Sequence, residues 1–183
     1  RFLPFGGTEQ IAVTLVISPE LAHRPRVQHA AWMLLNLLSR QMGIVNHIGL
    51  ICPRGVAQAG QIVPLVNPVL DLREALIAGN SAIGVVPLAP DQAEGRQIVV
   101  GAVSVTEPGS LYLSANGWCG GISTSPVPNV GTESGLPFGP YVAACLAAGE
   151  VFKAARLMPG TYSSPESIFY SAWTRRPSMA FSP

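Results

Sequence analysis

The sequence predicts an α/β fold: a Rossmann-like mixed sheet with helices on both faces and an antiparallel hairpin towards the C-terminus. Two apolar, branched stretches, IAVTLVIS at 11–18 and NHIGLICP at 46–53, flank a segment of helical period, which is the order of a βαβ unit. Strands that are apolar at nearly every position are covered on both faces, the habit of parallel sheets. Further on, two β-prone runs within SLYLSANGWCGGIST meet at Asn116-Gly117, the dipeptide that most readily forms a type I′ hairpin turn.

Each element has a local reason. Pro25 suits a first helical turn, and Val27, Ala30, Ala31, Leu34, Leu35, Leu38 and Met42 recur at helical spacing until Gly43 closes the helix. Asp71 followed by Glu74 has capping-box logic, so LREALIAG is a short helix ending at Gly79. AIGVVPLA (82–89) and RQIVVGAVSV (96–105) are further strands. Residues 125–139 form a Pro/Gly/Ser loop into the helix of LPFGPYVAACLAAGEVFKAARL. That helix has no charge between Pro140 and Ala148 and carries small residues on nearly every face, so it is expected to be buried and closely packed on at least two sides. Pro159-Gly160 stops it, and 159–183 is a polar tail punctuated by Phe169, Tyr170, Trp173 and Phe181. The domain is expected to span 1–158, with 159–183 an extension docked on it or on a partner.

Composition narrows the function. A chain of 183 residues with 48% hydrophobic content has ample material for one core, and its longest apolar run falls short of a membrane span. A net charge of +1 gives no footprint for nucleic acid or acidic lipid, and only 11% charged residues point to a surface covered by another chain. Three cysteines, Cys52, Cys119 and Cys145, with no CxxC, argue against a disulfide framework or a zinc knuckle, so no metal is expected and a reducing cytoplasm is the default. Arg1 stands where a secretory leader would begin with Met, and no leader pattern follows, so the chain is expected to be soluble and to belong to something longer.

Few residues stand out as chemical. Cys119, in a Gly-rich hairpin, is the candidate thioester-forming nucleophile, although no histidine is near it in sequence to activate it. Cys52 and Cys145 read as core. Arg24 and Arg26, beside a helix N-terminus, are the candidate anion site, against the plainer reading of a solvated loop. Trp118 is either a core anchor or an interface residue. His23, His29 and His47 need no special role.

Asn116, Gly117 and Trp118, then Pro137, Phe138 and Gly139 ahead of Ala143, Ala144, Cys145 and Leu146, and finally Glu150, Val151, Phe152 and Lys153, together resemble the C-terminal half of ThiF/HesA/MoeB-type domains. This is the adenylating fold of ubiquitin-activating enzymes, and the likeness covers residues 97–157. It implies that the Ala-rich helix packs on the sheet near a homodimer interface, with Asn116, Trp118, Pro137, Phe138, Ala144 and Ala148 as interface candidates. The N-terminal half departs from the family. Where the family has a glycine-rich phosphate turn after the first strand, this chain has SPELAHRPR, and LICPRG lacks an acidic residue for a ribose. No nucleotide-site residue carries over. The resemblance implies a catalytically degenerate domain with no cofactor, serving as the structural or dimerising half in a bacterial ubiquitin-like activation or conjugation system. Its partner would be an active adenylation domain or a ubiquitin-like protein, in a homodimer or pseudo-heterodimer. The alternative is an active adenylyltransferase or thioester-forming enzyme with an unorthodox or partner-completed nucleotide site.

Overall fold

A computed structural model describes residues 10–64, 66–81, 84–101, 109–126, 135–156 and 167–178. In chain order the elements are β1 (Ile11–Ile17), α1 (Pro25–Leu38), β2 (Val45–Ile51), α2 (Leu72–Gly79), β3 (Val85–Pro87), a 3-10 turn (Pro90–Gln92), β4 (Arg96–Val100), β5 (Leu111–Asn116), β6 (Cys119–Ser123), α3 (Phe138–Ala155), β7 (Ser167–Ser171) and β8 (Arg176–Ser178). They build one eight-stranded sheet in the order β3-β2-β1-β4-β5-β6-β7-β8. β1 to β5 run parallel, while β6, β7 and β8 are antiparallel to their neighbours. The Rossmann-like mixed sheet expected from the sequence is therefore present, and no helix of the described residues is long and apolar enough to cross a membrane.

Alternation along each strand sets the two faces. Val13, Leu15 and Ile17 of β1, Ile48 and Leu50 of β2, Ile98 and Val100 of β4, and Leu111 and Leu113 of β5 join one apolar cluster with Ala30, Leu34 and Leu35 of α1 and Ala143 and Ala147 of α3. α1 packs against both α2 and α3, so these helices share one layer. The connection from β3 to β4 carries only the 3-10 turn. It runs over the other face, where Leu88 lies over Gly49 and the Thr14 hydroxyl donates to the Glu94 carbonyl at 2.6 Å. Parallel crossovers ordinarily take a dozen residues with a helix, and this short one leaves part of that face uncovered.

Three local expectations change. The stripe of α1 ends at Leu38, because the next amides bond three residues back (Arg40 to Leu37, Gln41 to Leu38) and tighten the last turn. Met42 consequently leaves the core and is 83% exposed, while Gly43 at φ +80° reverses the chain. The hairpin turn is centred on Gly117-Trp118, since Asn116 pairs with Cys119. Only Gly117 has positive φ (53°), whereas type I′ needs it at both central residues, so the turn has the type II′ signature with glycine first. α3 is packed on two sides, as its small residues predict, against α1 and against β5 and β6. Cys145 stands on its open side and is exposed, not core. Cys52 is buried as expected.

The small residues of α3 have a backbone reason. A Cβ added at Gly120 of β6 would overlap the carbonyl oxygen of Gly139 and stand 2.6 Å from the amide nitrogen of Ala143. One added at Gly139 would overlap the Cys119 carbonyl. Helix backbone thus lies on strand backbone, and the Gly139 amide, one of the orphan donors of the helix start, bonds the Gly117 carbonyl at 2.8 Å. Of the expected polar tail, 167–171 pairs with β6 as β7 and buries Phe169 over Gly121. Residues 102–108, 127–134, 157–166 and 179–183, on which part of the expected fourth strand, the Pro/Gly/Ser loop and Phe181 fall, lie outside the described residues.

Candidate functional site

The uncovered face forms a groove of about 1200 Å³. Val16, Ile51 and Val99 make its apolar floor. The 87–95 segment walls one side and Gly109-Ser110 the other. It opens at the carboxyl ends of β1 and β2, where Pro19, Glu20, Cys52, Pro53 and Arg54 line it. Ligands of open α/β sheets bind at this end, so this is the candidate site. Its charges are mixed: Arg54, Arg73 and Arg96 line it together with Glu20, Asp91 and Glu94.

The turn after β1 shapes the mouth. The Ser18 amide bonds the Val100 carbonyl at 3.1 Å, Leu21 bonds Ser18 at 3.2 Å, and Arg24 bonds Leu21 at 2.9 Å. Pro19 and Pro25 have no amide to give. A phosphate needs several free amides converging on one point, and here those of Ser18, Leu21 and Arg24 are turned to the chain itself. The Ser18 hydroxyl donates to Glu20, and that bond holds the Glu20 carboxyl below the ordinary carboxylate range. A negative charge therefore stands beside the turn.

Gln28, on α1 and fully buried, fixes the mouth from beneath. Its Nε2 donates to the Ala22 carbonyl at 2.9 Å and the Ala57 carbonyl at 3.0 Å, and its Oε1 accepts from the Ala59 amide at 2.7 Å. One side chain ties the loop after β1 to the loop after β2. Sequence reasoning passed over it, for its signal is only a polar residue inside an apolar helical stripe. The thiol of Cys52 lines the groove, but burial, aided by Asp71, pushes its pKa up to about 12, so it is no nucleophile near neutrality.

The residues singled out from sequence are scattered. Arg24 is the exposed N-cap residue of α1. Arg26 is buried on the helix side, where it lines a small crevice with Val27, Leu113 and Ala115. Neither lines the groove, whose cations are Arg54, Arg73 and Arg96. Cys119 is half-buried at the far end of the hairpin, and its thiol makes no hydrogen bond to a base among the described residues. Trp118 and Phe138 come together in a parallel stack with centroids 4.3 Å apart, and Trp173 leans on Trp118 at 5.4 Å. Pro137 caps α3 beside this stack, and Asn116 precedes it on β5. Ala144 and Ala148 are 0% and 5% exposed inside the chain's own core, and the exposed residues of α3 between Ala144 and Phe152 are instead Cys145, Gly149 and Phe152. His29 meets Tyr141 across the α1–α3 contact at 3.2 Å, and His47 pairs with Glu94 at 3.0 Å. Among the described residues no group of three His, Cys, Asp or Glu side chains is placed to hold a metal ion.

Comparison with known proteins agrees with this architecture. Residues 12–162 match the BilD N-terminal domain. The chain belongs to that family. No curated protein sequence matches it. Among solved structures it is similar to E. coli MccB, with TM-score 0.59 and 14% identity over 96% of this chain and 64% of that one. MccB solved with SeMet MccA gives TM-score 0.58 and 15% identity over 96% and 66%, and MccB solved with ATP gives 0.53 and 16% over 96% and 66%. The chain thus shares the fold of MccB and spans about two thirds of its length.

Proposed function

We propose that the chain is a catalytically degenerate ThiF-like domain, serving as the structural, partner-holding half of a bacterial ubiquitin-like protein activation or conjugation system. The observation that carries this reading is the turn after β1. Three of its amides, those of Ser18, Leu21 and Arg24, are bonded within the chain and two of its positions are proline, while Glu20 places a carboxylate beside the position a nucleotide phosphate takes in this type of fold. The family and the fold, shared with a protein solved with ATP and with the peptide MccA, support a role around activation chemistry. Cys119 is then dispensable.

The rival is an adenylating enzyme whose nucleotide site a partner chain completes. The groove favours it, because it is large enough for a nucleotide and carries Arg54 and Arg73 near its open end. Calorimetry with Mg-ATP separates the two. The expected result is no heat of binding for this chain alone. Micromolar affinity, lost on Arg54→Ser or Arg73→Ser, removes the degenerate reading.

A further inference from the structure

The β7–β8 turn places an arginine where the backbone asks for glycine. Arg175 has φ +57°, and it is the one described residue other than glycine with positive φ. Its amide closes the turn on the Ser171 carbonyl at 2.8 Å. A position at the end of a hairpin turn with left-handed φ is normally filled by glycine or asparagine, since a Cβ strains it. Keeping arginine there keeps a guanidinium at that spot. Arg176 follows it, and both are exposed, with no carboxylate partner among the described residues.

Next to these two cations lie exposed aromatic rings. Trp173, on the same turn, is 71% exposed and leans on Trp118, which stacks on Phe138, itself 42% exposed. The Ala172 amide bonds the Trp118 carbonyl at 3.0 Å and fastens the turn to the hairpin. Three elements, the β5–β6 hairpin, the start of α3 and the β7–β8 turn, therefore converge on one patch of aromatic faces, and Arg175 and Arg176 follow Trp173 in that turn and the strand it opens. The patch is on the antiparallel side of the sheet, away from the groove. Strand addition at the β8 edge is not its use: Pro177 removes a donor from a three-residue edge strand, a device that blocks such pairing.

We propose that this patch docks an acidic segment of a partner protein, its carboxylates paired with Arg175 and Arg176 and an aromatic or proline residue laid on Trp173. Arginine recognises carboxylates through paired N–H donors, and tryptophan adds contact area at low entropic cost. This deepens the partner-holding reading and rests on it for the identity of the system, while the surface itself is tested separately.

The probe is a fluorescein-labelled decapeptide of Glu and Asp around a central Phe-Pro, with a lysine-substituted twin as control, titrated against the full chain and followed by anisotropy. The expected result is binding of the acidic peptide alone, weakened by salt. Arg175→Gly should bind it roughly tenfold more weakly, the loss of a charged contact, yet melt no lower than wild type, because glycine relieves the turn. Trp173→Ala should weaken binding similarly, and Arg175→Glu with Arg176→Glu should abolish it. Equal binding by Arg175→Gly and wild type, equal binding of both peptides, or no binding at millimolar peptide each overturns the proposal. Mg-ATP binding measured on the same samples reports on the degenerate reading alone, so either idea can fail while the other stands.

Discussion

His29 shows how one side chain can carry a pH dependence without any chemistry. It sits where α1 meets α3, edge-on to Tyr141 with ring centroids 5.6 Å apart, and burial holds its imidazole below the ordinary range. Desolvation disfavours the charged ring, so between the ordinary pKa of about 6.5 and the lowered folded value the unfolded chain binds a proton that the fold does not. Stability is then fully present above that window and falls as pH drops through it. A His29→Asn variant should lose less melting temperature than wild type between about pH 7.5 and about pH 5.5. Parallel losses in the two proteins would show that His29 is not a source of the acid sensitivity. At this scale the sequence was least legible. Gln28 and His29 are adjacent polar residues on one helix, and only the packed structure reveals that the first anchors two loops while the second hydrogen-bonds Tyr141 across the α1–α3 contact. Arg24 and Arg26 drew attention by their charge, yet helical rotation turns Arg26 away from the groove, and the arginines that line it come from the loop after β2, from α2 and from the start of β4.

Elements were read far better, for a physical reason: period and capping are local. β1, α1, β2 and α2 fall within a few residues of their expected bounds, and Asp71 accepts from the Glu74 amide at 2.8 Å as its spacing required. What sequence misplaced were features set by neighbours, such as the hairpin turn, whose centre is fixed by the Asn116 and Cys119 pairing, and the open side of α3. The contact between α3 and β6 is the element-scale device of this fold. Two backbones meet at Gly120, Gly139 and Ala143, leaving no volume for a methyl group and no flexible side chain to yield. Gly120→Ala should therefore destabilise the chain by about 1–3 kcal/mol or more, the range of overpacking. Gly149→Ala, on the open side of the same helix with nothing within 4 Å of its added Cβ, should stabilise it by about 1 kcal/mol through helix propensity. Denaturant melts of the two variants measure both, and a tolerated Gly120→Ala would show that helix and strand can separate freely.

For the whole molecule, the composition that first suggested a covered surface finds a place in the helix layer. α1 has no charged residue after Arg26, and α3 has none before Glu150, which pairs with Lys153. Trp32, Met33 and Leu37 of α1 are half-buried, and Cys145, Gly149 and Phe152 of α3 are exposed, with the Arg156 guanidinium at the edge of this surface, 5.8 Å from the Phe152 ring centroid. Monomers rarely expose a broad uncharged apolar face to water, and a twofold contact lets one such face cover its own copy. The expected state is a dimer joined through the α1 and α3 surface, or a pseudo-dimer with an active adenylation domain when one is present. Cys145→Arg and Gly149→Arg provide the test, because both positions are open and should take a long charged side chain without disturbing the core. Light scattering should give a dimer for wild type and a monomer for each variant, with unchanged melting in dilute solution. A wild-type chain that stays monomeric at high micromolar concentration, alone and with an adenylation-domain partner, would mean that the uncharged face is simply the solvent side of a poorly charged protein.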